Sequence, residues 1–170
     1  IMVDQYLAHM RVLFEQASRN LADHTMIASQ ELLFPELLEV SALQNSIIED
    51  NIDRFLVLGF NIQEFGHLNW QLRGIPAELA NHRALQTFED LLKDLEEDQQ
   101  PKQDIRLQIA LAWARTSAIP RGQVLSYEEM NHLINHLFLT DNPYKTPQGK
   151  NIFIRLTLEE ILQKFNKEST

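Results

Sequence analysis

Apolar residues in this chain change spacing repeatedly, from helical rhythm to strand alternation and back, and this irregular succession is the tightest constraint on the fold. Residues from about 7 to 22 set Met10, Leu13, Phe14, Ala17 and Leu21 at helical spacing. Ile27 to Val40 is apolar but interrupted by Pro35, which suits an extended edge segment because proline cannot donate to a ladder. Ser41-Ala42-Leu43-Gln44 is a capping box opening a helix with the stripe Leu43, Ile47, Ile48, Ile52, Phe55 and Leu56, and Gly59 is placed to end it in a left-handed conformation. Phe60 and Ile62, then Leu68, Trp70 and Leu72, alternate across a turn at Gly66-His67 and predict a hairpin. Arg83 to Leu95 is amphipathic, with Leu85, Phe88, Leu91, Leu92 and Leu95 on one side, and the polar run Glu96–Asp104, containing Pro101, reads as an exposed linker. A further helix carries Ile105, Ile109, Ala112 and Trp113 before Pro120 stops it. Ser126-Tyr127-Glu128-Glu129 is a second capping box, followed by Met130, Leu133, Ile134 and Leu137. After a loop marked by Asn142-Pro143 and Gln148-Gly149, Ile152, Ile154 and Leu156 alternate as a strand, and Thr157 with Glu160 caps a last helix holding Ile161, Leu162 and Phe165. The succession predicts an α+β fold without internal repeats.

The 170 residues suffice for one domain or two small subdomains. No apolar run approaches the roughly 18 residues of a membrane span. The absence of cysteine excludes disulfides, thiolate zinc sites and cysteine nucleophiles, and it fits a cytoplasmic protein. Fifteen Lys and Arg against 24 Asp and Glu give a net charge of −9, which disfavours strong autonomous binding to DNA, although net charge does not report its own distribution. The opening Ile1-Met2-Val3-Asp4 reads as mid-strand, so the expectation is a domain taken from a longer protein.

Two segments go beyond patterning. They are Val3-Asp4-Gln5-Tyr6-Leu7-Ala8-His9-Met10-Arg11-Val12-Leu13-Phe14-Glu15 and Asn142-Pro143-Tyr144-Lys145-Thr146-Pro147-Gln148-Gly149-Lys150, the latter followed by Ile154-Arg155-Leu156-Thr157-Leu158-Glu159-Glu160. With Leu58-Gly59-Phe60-Asn61-Ile62-Gln63-Glu64-Phe65-Gly66 and Arg73-Gly74-Ile75-Pro76-Ala77 between them, they resemble, in order and over nearly the whole chain, the C-terminal domain of the mismatch-repair protein MutL. The resemblance implies two subdomains. One, for dimerisation, is formed by both chain ends (residues 1–28 and 115–170), and an inserted regulatory subdomain spans 29–114. It also implies an ATPase in a preceding region.

Many members of that family carry a metal-dependent endonuclease here, with the leading motif Asp-Gln-His-Ala-x-x-Glu-x-x-x-x-Glu. Asp4, Gln5 and Glu15 match it, whereas Tyr6 stands at the histidine, Leu7 at the alanine and Met10 at the first glutamate. The family's Cys-Pro-His-Gly-Arg becomes Thr146-Pro147-Gln148-Gly149-Lys150, and an upstream Ala-Cys element aligns with Ala114-Arg115. A thioether is a poor ligand for a hard cation and a guanidinium repels one. The expectation is a lost site, with no metal, no cofactor and no catalytic residue. The rival is a nicking endonuclease with a divergent site built on Asp4 and Glu15. Their ordinary roles would be to start the first helix, for Asp4, and to sit on a solvated face, for Glu15.

Gln30-Glu31-Leu32-Leu33-Phe34-Pro35 resembles the short motif by which such proteins engage the sliding β clamp, with Gln30 at the rim and Leu32, Leu33 and Phe34 in an apolar groove. A buried strand explains the same residues, and the sequence leaves both readings open. The resemblance further implies a homodimer, for which Ile152, Ile154, Leu156, Ile161, Leu162 and Phe165 are candidate contacts, and a mismatch-recognition protein and a downstream nuclease or helicase as partners of the full-length protein. Glu128, His132 and His136 share a helical face at zinc-like spacing but lack a fourth ligand, so a solvated polar face explains them better. Lys145, Lys150 and Arg155 form a modest basic cluster, read as a solvated loop with at most weak contact to a DNA backbone.

Overall fold

The computed structural model describes residues 1–77, 79, 83–97 and 104–166, with side chains described as far as Gln163. Its elements run β1 (Met2–Val3), α1 (Gln5–Asp23), β2 (Ser29–Glu39), α2 (Ala42–Val57), β3 (Asn61–Glu64), β4 (Asn69–Pro76), α3 (Ala84–Glu97), α4 (Ile105–Ser117), α5 (Tyr127–Phe138), β5 (Phe153–Ile154) and α6 (Leu158–Asn166). This is the α+β class. The chain divides into two compact units, the first of Ile1–Val12 with Ile119–Thr170 and the second of Leu13–Ala118. The boundaries implied by the resemblance, 28/29 and 114/115, lie respectively just before β2 and near the end of α4. The compact units change over at 12/13, within α1, and at 118/119.

In the second unit an antiparallel sheet has the order β2-β4-β3, leaving β2 at an edge as Pro35 requires. Apolar residues of the sheet, Leu38, Ile62, Trp70 and Leu72, join the core of α2, α3 and α4. Phe88 of α3 lies at its centre, its ring 5.3 Å from Phe55 and 4.9 Å from Phe60, while Phe60 meets Trp113 edge-on at 5.4 Å. Gly59 has φ +89°, and a Cβ there would come within 3.1 Å of the Pro76 backbone, so the residue that ends α2 also lets β4 approach.

Local caps form as read. Ser41 and Gln44 make a reciprocal box on α2, and Ser126 and Glu129 make one on α5. Thr157 and Glu160 do the same on α6. Four expectations need correction. The stripe on α2 is narrower than expected: Ile48, Asn51 and Phe55 share one buried face at helical spacing, whereas Leu43, Ile52 and Leu56 lie around the helix to either side of it and are exposed. The strand expected from Ile152 to Leu156 pairs only at Phe153 and Ile154, since β1 offers just Val3 and Met2 as partners. Met130, expected in the core, is exposed. The expected linker is shorter at its start, because α3 continues to Glu97, and residues 98–103 lie outside the described residues. Among the described residues no helix is long and apolar enough to cross a membrane.

Phe88→Ala should lower unfolding stability by about 3–5 kcal/mol, because the surrounding rings cannot collapse into the space. Urea denaturation checks this, and a loss under about 1 kcal/mol would remove Phe88 from the centre of the core.

Candidate functional site

Asp4 sits where β1 hands over to α1, its N–H bonded to the Ile152 carbonyl at 2.9 Å. Its Oδ1 accepts the Leu7 N–H at 3.0 Å, which is an N-cap on an otherwise unsatisfied donor. Its Oδ2 accepts from Arg121 Nη1 at 2.7 Å, and the same guanidinium lies 5.0 Å from the centre of the Tyr6 ring. Gln5 donates through Nε2 to the carbonyls of Gln123 at 2.6 Å and Pro120 at 3.4 Å. One turn on, His9 Nδ1 accepts the Ile119 N–H at 2.9 Å. The first two turns of α1 thus grip the segment 119–123, and a protein cation rests on the one acid of the motif in this unit.

The remaining motif positions are committed elsewhere. Met10 is buried. Thr146 is buried in a hairpin in which its Oγ1 accepts the Lys150 N–H at 3.1 Å, while Gln148 at the tip is exposed. In the second unit Glu15 is only 8% exposed and pairs with Arg19 at 2.6 Å, overturning the expectation of a solvated residue. The burial arises because its turn of α1 lies between the buried Leu13 and Ala17. Arg115 pairs with Asp94 at 2.8 Å. Asp4 and Tyr6 are therefore brought together, but around Arg121. No group of three or more His, Asp or Glu among the described residues has metal-holding geometry. Glu128, His132 and His136 are exposed on α5, with the two imidazoles 3.9 Å apart.

The segment Gln30–Pro35 lies in β2, where the ladder to β4 is interrupted. Glu31 pairs with Gly74 and Glu36 with Leu72, so residues 32–35 stand opposite the single residue Arg73. Leu33 and Phe34 are 94% and 85% exposed, while Leu32 is partly buried against the core. Beside them Glu31, Leu32, Leu33 and Pro35 face Asn61, Ile62, Gln63 and Arg73 across a cavity of about 600 Å³. Of the candidate self-association residues, Ile154, Ile161 and Leu162 are exposed, Leu156 is partly buried, and the Phe165 side chain lies outside the described residues. Ile152 is 1% exposed in the single chain and has almost no surface to offer a partner.

Residues 1–125 match the family described as the MutL C terminal dimerisation domain. The chain belongs to that family. It is 32% identical to the DNA mismatch repair protein MutL of Chlorobium phaeobacteroides, over 99% of this chain and 27% of that protein. It is 33% identical to MutL of Chlorobaculum tepidum, over 98% and 27%, and 34% identical to MutL of Parabacteroides distasonis, over 96% and 26%. The chain thus spans about a quarter of the length of the curated relatives it matches.

Within this MutL C-terminal domain, sequence reasoning missed Arg121 and His9. Neither has a local signal, because their partners lie more than a hundred residues away. Burial, with His136 nearby, holds the His9 imidazole down to about 4 from its ordinary 6.5. Its acceptor role toward Ile119 requires the same neutral form. Between pH 6.5 and 4 the unfolded chain takes up a proton that the folded chain refuses. Stability is therefore lost as pH falls through that window, by on the order of 1–3 kcal/mol. His9→Asn keeps an acceptor but cannot titrate, and urea midpoints at pH 7 and 4.5 should fall less for this variant than for the parent. Equal falls would assign the pH dependence to other groups.

Proposed function

We propose that this domain is a non-catalytic dimerisation and docking module of a mismatch-repair protein, with the first unit pairing two copies and the second serving as the regulatory subdomain that docks on a sliding β clamp. The observation carrying the pairing is the apolar surface of the first unit: Met2 and Ile154, paired on the β1–β5 ribbon, and Leu158, Ile161 and Leu162 on α6 are all exposed in the single chain. Apolar exposure on this scale favours burial against a like surface. In the full-length protein the pair would hold two ATPase arms at high effective concentration and couple mismatch recognition to a separate nicking or unwinding enzyme in the cytoplasm. The absence of nuclease activity belongs to this proposal, and its support is the Arg121 guanidinium on the Asp4 carboxylate.

Light scattering at micromolar concentration should give twice the chain mass, and Ile154→Glu with Leu162→Glu should halve it without altering the far-UV spectrum. A concentration-independent monomer for the parent chain would end the pairing proposal.

For the clamp, the support is that Leu33 and Phe34 are presented outward between two anchored halves of β2, so ordering costs on docking are small. Leu33→Ala with Phe34→Ala should weaken capture on an immobilised clamp at least about tenfold, as expected for central apolar anchors. Gln30→Ala with Leu32→Ala tests the rest of the motif. Unchanged capture with the first pair would reject the docking role.

A further inference from the structure

Helix α5 carries a feature that neither the pairing nor the clamp proposal uses, and whose residues are not among the degenerate nuclease positions. The helix is fixed at its start by the Ser126–Glu129 box and along one side by Leu133 and Leu137, both buried. Another side holds Glu128, His132 and His136, each four residues from the next and so one above another. The ring centres of the two imidazoles lie 3.9 Å apart, with the planes tilted by 48°. Both histidines are exposed, and neither ring donates or accepts a hydrogen bond among the described residues.

A closed structural metal site takes about four protein ligands, which this face does not supply. A chelate on a surface needs only two, with water completing the coordination. Two imidazole nitrogens on one ion, each at about 2.0–2.1 Å, stand roughly 3 Å from each other, and side chains one helical turn apart reach that separation by rotation alone. The backbone of α5 is already pinned, so closing the chelate orders just two side chains. The local charge also suits a cation: α5 contains no Lys or Arg, and Glu128 sets a negative charge one turn before His132. His9 lies near His136, but its Nδ1 is committed to the Ile119 N–H and adds no ligand through that nitrogen.

The geometry points to a two-histidine chelate on α5, His132 with His136, for a divalent transition ion of the nickel or zinc kind. Imidazole nitrogen suits such ions, whereas magnesium and calcium take oxygen ligands. Because both ligands stand on one helix, the second nitrogen meets the ion at high effective concentration, and the pair holds it on the order of a hundredfold more tightly than a lone imidazole does. The chelate exists only while α5 is helical. The ion therefore binds the folded chain in preference to the unfolded one and stabilises it.

The test is calorimetric titration of nickel and of zinc chloride into the untagged 170-residue chain, with magnesium chloride as the control. One ion per chain at micromolar affinity is expected, with no competition from magnesium. His132→Asn and His136→Asn should each weaken binding on the order of a hundredfold. Asn131→His combined with His132→Asn keeps the number of imidazoles but sets the two on different sides of the helix, and it should lose binding to the same extent. All these positions are exposed, and far-UV spectra confirm that the variants fold. Saturating nickel should raise the urea midpoint of the parent chain and leave that of His136→Asn unmoved. No saturable heat at millimolar ion overturns the proposal. So does binding that the rearranged variant retains, which would assign it to carboxylates or to the other imidazoles, and so does displacement of nickel by magnesium.

Discussion

The first unit exists only because two stretches of chain more than a hundred residues apart are fastened together. Closing so long a loop is entropically unfavourable, and the cost is set by the distance along the chain rather than by anything local. It is offset at one spot. The β1–β5 pairing, the Asp4 N–H on Ile152, the Arg121–Asp4 ion pair, the two Gln5 bonds and the His9 acceptor all lie within the first nine residues. Asp4 and Gln5 are also positions at which the sequence resembles the nuclease motif. In this chain those side chains fasten the fold, and the charge facing Asp4 is a guanidinium.

What the sequence made legible is what depends on neighbours along the chain. The three capping boxes, the edge position of β2, the Gly66 hairpin and the amphipathic α3 all rest on spacings of two to four residues, and each formed. The failures share one cause. On α2 the buried face is set by what packs on it: Ile48, Asn51 and Phe55 face the core, and Leu56 and Ile52 fall outside that face. At β5 alternation persisted for five residues, but a strand extends only as far as its partner, and β1 is two residues long. Glu15 carries a charge and was read as solvated, yet its turn of α1 is buried with Arg19 as counter-ion. The Arg121 and His9 contacts span more than a hundred residues, beyond any periodicity.

The same limit applies to the candidate sites. The motif resemblance located Asp4, Thr146 and Gln30 to Phe34 by residue type alone, and spacing could not separate a buried strand from an outward loop at Leu33 and Phe34. Register settles the geometry: four residues set against one must leave the ladder.

The interruption in β2 has an effect on the molecule's neighbours as well. An uninterrupted eleven-residue edge strand would present a continuous line of unpaired backbone donors and acceptors to any other extended chain. Here the line is cut into a three-residue piece and a four-residue piece, out of phase with each other. A foreign strand starting on one cannot continue onto the other, and neither is long enough to hold it. The bulge thereby lets the domain display two large apolar side chains at a sheet edge without becoming a template for sheet-to-sheet polymerisation.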